Sequence, residues 1–210
     1  MYTLPILVVL GDRTANEIVE AAQLANGSQL AAIEKIYFEP LKFAADDVPR
    51  LRKLSPTIFF HAGMANNGLK RQVVEACVSY GWMPYSVVHP TAVVSPSATI
   101  QPGVFVGPLA VVSSHATVEQ HSIVHLHASV GHDAHIGEYS AILPGARISG
   151  NVIIGKRTWV GSNAFVAAGK RIGDDCRVDA LCYVQQDLAD DHIASPRYPK
   201  AIKRVDVREA

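Results

Sequence analysis

The chain has 210 residues, 49% of them hydrophobic, and carries 19 basic and 19 acidic side chains. That length and apolar content exclude a disordered chain and are enough for one long domain or two modest ones. The net charge of zero excludes a field that would draw in nucleic acid or an anionic membrane surface.

Cys77, Cys176 and Cys182 are too few and too irregularly spaced for a disulfide framework or a zinc cluster, and read as buried thiols in a reducing compartment. The opening MYTLPILVVLGD has an apolar run of strand length without a basic leader or a small-residue cleavage site. No stretch approaches the ~18 apolar residues of a membrane span. The expectation is a cytoplasmic protein.

In chain order, LPILVVL predicts a buried strand and NEIVEAAQLA a helix ending near Asn26-Gly27. QLAAIEKIYF and TIFFHAG predict two more strands, KRQVVEACVSYG a second helix closed by Gly81, and MPYSVVH a fourth strand. Strands alternating with helices predict a small, largely parallel α/β domain, Rossmann-like in its βα order, over residues 1–87.

From Val88 the period changes. Val or Ile recurs every six residues, Val88, Val94, Ile100, Val106 and onward to Val184, 17 positions without a failure. If Val and Ile are about a fifth of residues, chance gives this on the order of once in 10¹² tries. Four residues after each comes a small or β-branched residue, from Ala92 to Cys182, with Lys170 the exception. One aliphatic and one small inward residue per hexad predicts a left-handed parallel β-helix over residues 88–186. Three hexads close a triangular coil, so residues 18 apart stack at about 4.8 Å. Residues 187–210 then form a C-terminal tail.

Six of the nine histidines, His115, His121, His125, His127, His132 and His135, fall within 21 residues of this region. Stacking places His132 between Ser114 and Gly150, and Asp133 between His115 and Asn151. An imidazole with an ordinary pKa near 6.5 can take a proton from an attacking amine or hydroxyl. Asp133 can orient it, and the Gly150 N–H can donate to a developing oxyanion. A metal site is the other reading of the cluster, since His127 and His132 stand five residues apart, as does a zinc-binding His pair in trimeric β-helix carbonic anhydrases. The third, upstream histidine of such a site has no counterpart in TAVVSPSAT, and no metal is expected.

The stretch VGHDAHIGEYSAILPGARISGNVIIGKRTWVGSNAFV resembles the sialic acid O-acetyltransferase family of hexapeptide-repeat sugar acyltransferases, which includes N-acetyltransferases acting on UDP-4-amino sugars and GDP-perosamine. The resemblance extends over the N-terminal βα domain and the HPTAVVSPSATI entry to the coils. It implies acetyl-CoA as co-substrate, a homotrimer with sites between subunits, and a nucleotide sugar held by the N-terminal domain. By the same resemblance His132 is the general base, Asp133 its acidic partner and Gly150 the donor to the acetyl carbonyl. Ser162 and Ala180 touch the pantetheine arm, and the basic tail from Arg197 to Arg204, Lys200 included, closes over the CoA nucleotide.

Two departures concern the acceptor side. Where the family has a glycine-rich turn ending in His, this chain has Gly11-Asp12-Arg13-Thr14-Ala15, with Gly11 kept and Arg13 available for phosphate; Asp12 or Thr14 is also suited to capping the following helix. The family Asn before the base corresponds to His125, and a family His after it to Ala141. Gly11, Asp12, Arg13 and His125 are therefore the candidate acceptor-binding residues. The altered turn also admits a non-enzymatic reading, a trimeric prism kept as a binding or scaffold module.

Overall fold

The computed structural model describes residues 4–64, 66–198 and 200–204. The chain forms two compact units, Met1–Pro90 and Thr91–Ala210.

In the first unit, β1 (Ile6–Leu10), β2 (Ala32–Ile36), β3 (Ile58–Ala62) and β4 (Met83–Pro84) form a parallel sheet in the order β2-β1-β3-β4. Every residue of β1 is buried, as its unbroken apolar run requires of a central strand. Helix α1 (Arg13–Asn26) follows β1, and helix α2 (Asn67–Ser79) follows β3. Asn66 caps α2, its side chain accepting from the Leu69 N–H at 2.9 Å. The first turn of α2 buries Lys70 almost completely, and desolvation lowers its pKa to about 7.

A helical stretch over 40–54 was not legible in the pattern. A π turn over Phe43–Asp47 interrupts it, the Val48 N–H bonding back to the Phe43 carbonyl just before Pro49. The buried Phe43, Val48 and Leu51 are consequently out of helical spacing. The expected fourth strand is likewise split: Met83–Pro84 joins this sheet, whereas Val87–Val88 is the first strand of the hexad series.

The second unit is a left-handed parallel β-solenoid of two-residue strands, each ending on the Val or Ile of its hexad. Face A stacks Val93–Val94, Val111–Val112, Ser129–Val130, Arg147–Ile148, Phe165–Val166 and Tyr183–Val184. Face B stacks Thr99–Ile100, Thr117–Val118, His135–Ile136, Ile153–Ile154 and Arg171–Ile172. Face C stacks Phe105–Val106, Ile123–Val124, Ala141–Ile142, Trp159–Val160 and Arg177–Val178.

Register partners are 18 apart, as stacking predicts, until the last coil, where Arg177 pairs with Ile193 over 16 residues. There His192–Ala194 extends face C and turns antiparallel to Ile202–Lys203. From Val106 onward every hexad aliphatic is buried; Val94 and Ile100, in the coil that starts this unit's stack, are half-buried.

Through most of the stack each corner turns on one residue with positive φ. From Gly103 to Leu181 that residue recurs every six positions: Gly103, Leu109, His115, His121, His127, Asp133, Tyr139, Gly145, Asn151, Arg157, Asn163, Gly169, Asp175 and Leu181. Asn, Asp, His and Gly tolerate this left-handed conformation best. Inside the corner between faces B and C, buried hydroxyls form a ladder. Ser122 Oγ donates to the Gly137 carbonyl at 2.8 Å, Ser140 Oγ to Gly155 at 2.7 Å and Thr158 Oγ1 to Gly173 at 2.7 Å. Small polar residues fill this column because each finds a carbonyl within reach.

Candidate active site

His132 and Asp133 occupy the corner between faces A and B. Asp133 is the left-handed residue of that corner (φ 57°), its N–H donating to the Ser114 carbonyl at 3.0 Å. This conformation turns its carboxylate back to the preceding side chain, and His132 Nδ1 lies 2.9 Å from Asp133 Oδ2. A carboxylate can only accept, so Nδ1 carries a proton, and in the neutral ring Nε2 keeps its lone pair.

The next coil brings Gly150 beneath the ring. A Cβ there would stand 2.6 Å from His132 Cε1 and 2.9 Å from Cδ2, so glycine at this position makes room for the imidazole. Both acidic and imidazole side chains remain more than half exposed.

The corner amides separate this edge from the one between faces B and C. Between faces B and C the N–H of Gln120 donates to Gln101 Oε1, that of Glu138 to Glu119 Oε2, and those of Lys156 and Asp174 to Asp174 Oδ1 and Asp190 Oδ1. Ion pairs fill the outside of that edge: Lys156 to Glu138 at 3.1 Å and Arg157 to Asp175 at 2.6 Å. The Gln120 hydrogen bond, with Lys156, holds the Glu138 carboxyl below its usual range. At the corner between faces A and B, the Gly150 N–H has no acceptor among the described residues. An open amide beside an imidazole with a free lone pair is the arrangement that acyl transfer to an amine or hydroxyl requires.

The other predicted residues fall elsewhere. Ser162, Ala180 and His125 lie on the corner between faces C and A, one face away from His132 and Gly150. His125 Nδ1 accepts the Leu126 N–H at 2.9 Å, which caps that corner's amide and makes Nε2 the N–H of a neutral ring. Ala180 lines an open cleft of about 490 Å³ with Arg177, Asp179, Ser195, Pro196 and Arg197; Lys200 is exposed outside that lining.

Arg177 and Ser195 were missed from sequence. Arg177 was accessible to the 18-residue stacking rule, which sets it over Trp159, where the guanidinium lies 5.8 Å from the ring. Ser195 follows the shortened last coil, where that rule no longer applies.

In the first unit Gly11 is buried with φ 144°, and its Cα packs against the Gly63 carbonyl so closely that any Cβ would collide with it. This contact by itself accounts for the glycine. Asp12 and Arg13 are exposed at the start of α1.

The histidine cluster resolves into separate roles. His115, His121 and His127 hold left-handed corners, His125 caps an amide, and His135 pairs with Glu119 at 3.0 Å. His127 and His132 stand on different edges. Among the described residues no three His, Cys, Asp or Glu side chains converge as metal ligands would. All three cysteines are buried, and burial raises their pKa values.

This combination of a βα unit and a left-handed β-helix is the fold of the sugar N-acetyltransferases. No family model and no curated protein matches the sequence. Among solved structures, the acetyltransferase domain of PglB from Neisseria gonorrhoeae, in complex with acetyl coenzyme A, matches at 25% identity and a TM-score of 0.82, over 94% of this chain and 98% of that one. A mutant of perosamine N-acetyltransferase from Caulobacter crescentus, in complex with CoA and GDP-perosamine, matches at 24% identity and a TM-score of 0.83, over 93% and 96%. WeeI from Acinetobacter baumannii matches at 16% identity and a TM-score of 0.71, over 94% and 100%.

Proposed function

We propose that this chain is an acetyl-CoA-dependent acetyltransferase that modifies an amino or hydroxyl group of a nucleotide-linked sugar. The observation that carries the reading is the His132–Asp133 pair set over Gly150 with that residue's amide uncapped. His132 Nε2 removes the proton as the acceptor attacks the thioester carbonyl directly. Asp133 holds the tautomer and stabilises the imidazolium, the Gly150 N–H donates to the oxyanion, and CoA leaves from a ternary complex without an acetyl-enzyme.

The cleft formed by Ala180, Arg177 and Arg197 supports a place for the CoA phosphates, where two guanidiniums provide forked donors. Because that cleft and His132 lie on opposite margins of face A, we propose a homotrimer in which neighbouring chains supply the two margins of one site. We assign the enzyme to the cytoplasm, a reading suited to free thiols; no described helix is long and apolar enough to cross a membrane.

The test is release of free CoA from acetyl-CoA in the presence of UDP-, dTDP- and GDP-linked amino sugars. Acceptor-dependent release is expected with one carrier. His132→Ala should lower turnover by ~10²–10⁴-fold with acetyl-CoA binding retained. An unaltered rate in that variant removes His132 from the mechanism, and failure of calorimetry to detect acetyl-CoA binding favours the scaffold reading instead.

A further inference from the structure

The outward column of face C changes character along its length. Phe105, Ile123 and Ala141 are buried, Trp159 is half-buried and Arg177 is exposed. Trp159 and Arg177 are register partners on adjacent rungs, so their side chains leave the same face one coil apart, about 4.8 Å. At that spacing a flat indole and a planar guanidinium can lie against each other.

Arg177 is held from two directions. Its Cζ lies 5.8 Å from the centre of the Trp159 ring, within the range of a cation–π contact. Its Nε donates to Asp179 Oδ1 at 3.3 Å. Neither contact occupies Nη1 or Nη2, which have no partner among the described residues. Those two nitrogens form the edge with which a guanidinium grips two oxygens of one phosphate.

Other cations at this end of the solenoid are committed elsewhere. Lys156 pairs with Glu138, Arg157 pairs with Asp175, and Arg204 donates to the Asp175 carbonyl. Among the described residues that line the cleft, Arg177 and Arg197 are the bases and Asp179 is the acid. Trp159 is not part of that lining. It stands one coil behind Arg177 and reaches a ligand in the cleft through Arg177 alone.

We propose that Trp159 is a positioning residue: its indole, together with the Asp179 carboxylate, holds the Arg177 guanidinium in place to bind a phosphate of CoA. The proposal rests on the CoA reading of this cleft. An unrestrained surface arginine samples many rotamers and loses that freedom on binding, whereas one ordered beforehand loses less. An aromatic face attracts the cation through its quadrupole and adds no negative charge. A second carboxylate in its place would order Arg177 equally but cancel the positive charge that a phosphate needs to meet.

The experiment is calorimetric titration of CoA into wild type, Trp159→Leu, Trp159→Phe, Arg177→Ala and the Trp159→Leu/Arg177→Ala double variant, with thermal unfolding of each. Loss of a cation–π contact at an exposed site corresponds to about 2–5-fold in affinity, so Trp159→Leu should raise the Kd for CoA by that factor. Trp159→Phe keeps a ring and should restore most of the wild-type affinity. In the Arg177→Ala background Trp159→Leu should add nothing, because no guanidinium remains to be held. Penalties that multiply in the double variant overturn the proposal and leave the CoA site standing, as does a Trp159→Leu variant with wild-type affinity. An Arg177→Ala variant that binds CoA normally overturns the CoA reading of the cleft and this inference with it. Titration of dephospho-CoA then identifies the phosphate: a Trp159→Leu penalty that vanishes assigns the contact to the 3′-phosphate, and one that persists assigns it to the diphosphate.

Discussion

Replacing Gly150 by Ala separates catalysis from stability. The added Cβ would stand 2.6 Å from His132 Cε1, against the ~3.4 Å of an ordinary contact. The obstacle is the far end of a side chain that is more than half exposed, so the imidazole can swing away while the backbone stays in place. Gly150 does not have positive φ, and alanine is conformationally acceptable there.

The loss of unfolded-state freedom should leave stability unchanged or raise it by about 0.4–1 kcal/mol. Displacing the ring by about 1 Å takes Nε2 off the attacking atom and should lower kcat by about 10²-fold. The assay pairs thermal unfolding with thiol detection of released CoA. A kcat within about twofold of wild type, in a protein that melts normally, would refute the placement of His132 over Gly150 as a catalytic arrangement. Gly131→Ala is the contrasting control: its Cβ would meet the Gly150 N and the Ser149 carbonyl carbon, both at 2.6 Å. Backbone cannot swing aside, so that variant should lose stability first.

Asp133→Asn leaves the ring able to adopt either tautomer and should lower kcat with little change in KM, as steady-state kinetics would record. Arg177→Ala and Arg197→Ala should each raise the KM for acetyl-CoA by about 10-fold and leave the acceptor KM alone; a change confined to the acceptor would move the CoA site away from this cleft. Ile142→Ala empties a fully buried rung and should cost about 2–5 kcal/mol by denaturant titration. The buried Lys70 makes stability pH-dependent. Its folded pKa of about 7 lies below its ordinary 10.5, so the unfolded chain binds the extra proton between those values. Unfolding free energy should therefore rise with pH across that window, by up to about 1.4 kcal/mol per pH unit, with the penalty complete below pH 7. Lys70→Met should flatten that slope.

Much of the second unit was legible because a β-solenoid is nearly one-dimensional. A residue at one position contacts those 18 before and after it, so counting along the chain already locates neighbours. That rule placed His132 over Gly150 and Asp133 beside it. It left the histidine density unexplained, because the left-handed corners of His115, His121 and His127 are a backbone property with no hydrophobic period. Ser162 and Ala180 were set beside Gly150 by resemblance alone; they stand 12 and 30 residues from it, and the same rule stacks them on each other along another edge. The first unit was legible in its strands and missed over 40–54, where the π turn displaces the buried residues from the 3.6 period.

The order of Val and Ile along the chain by itself determined the prism, its register and the stack that carries the proposed base, because identical short rungs have one way to bury both an aliphatic and a small residue. Tertiary structure decided the rest: which corner amides are capped, which tautomer His132 and His125 hold, and that Gly11 is required by the Gly63 carbonyl. Those depend on hydrogen bonds and close approaches between particular atoms, which no periodicity encodes.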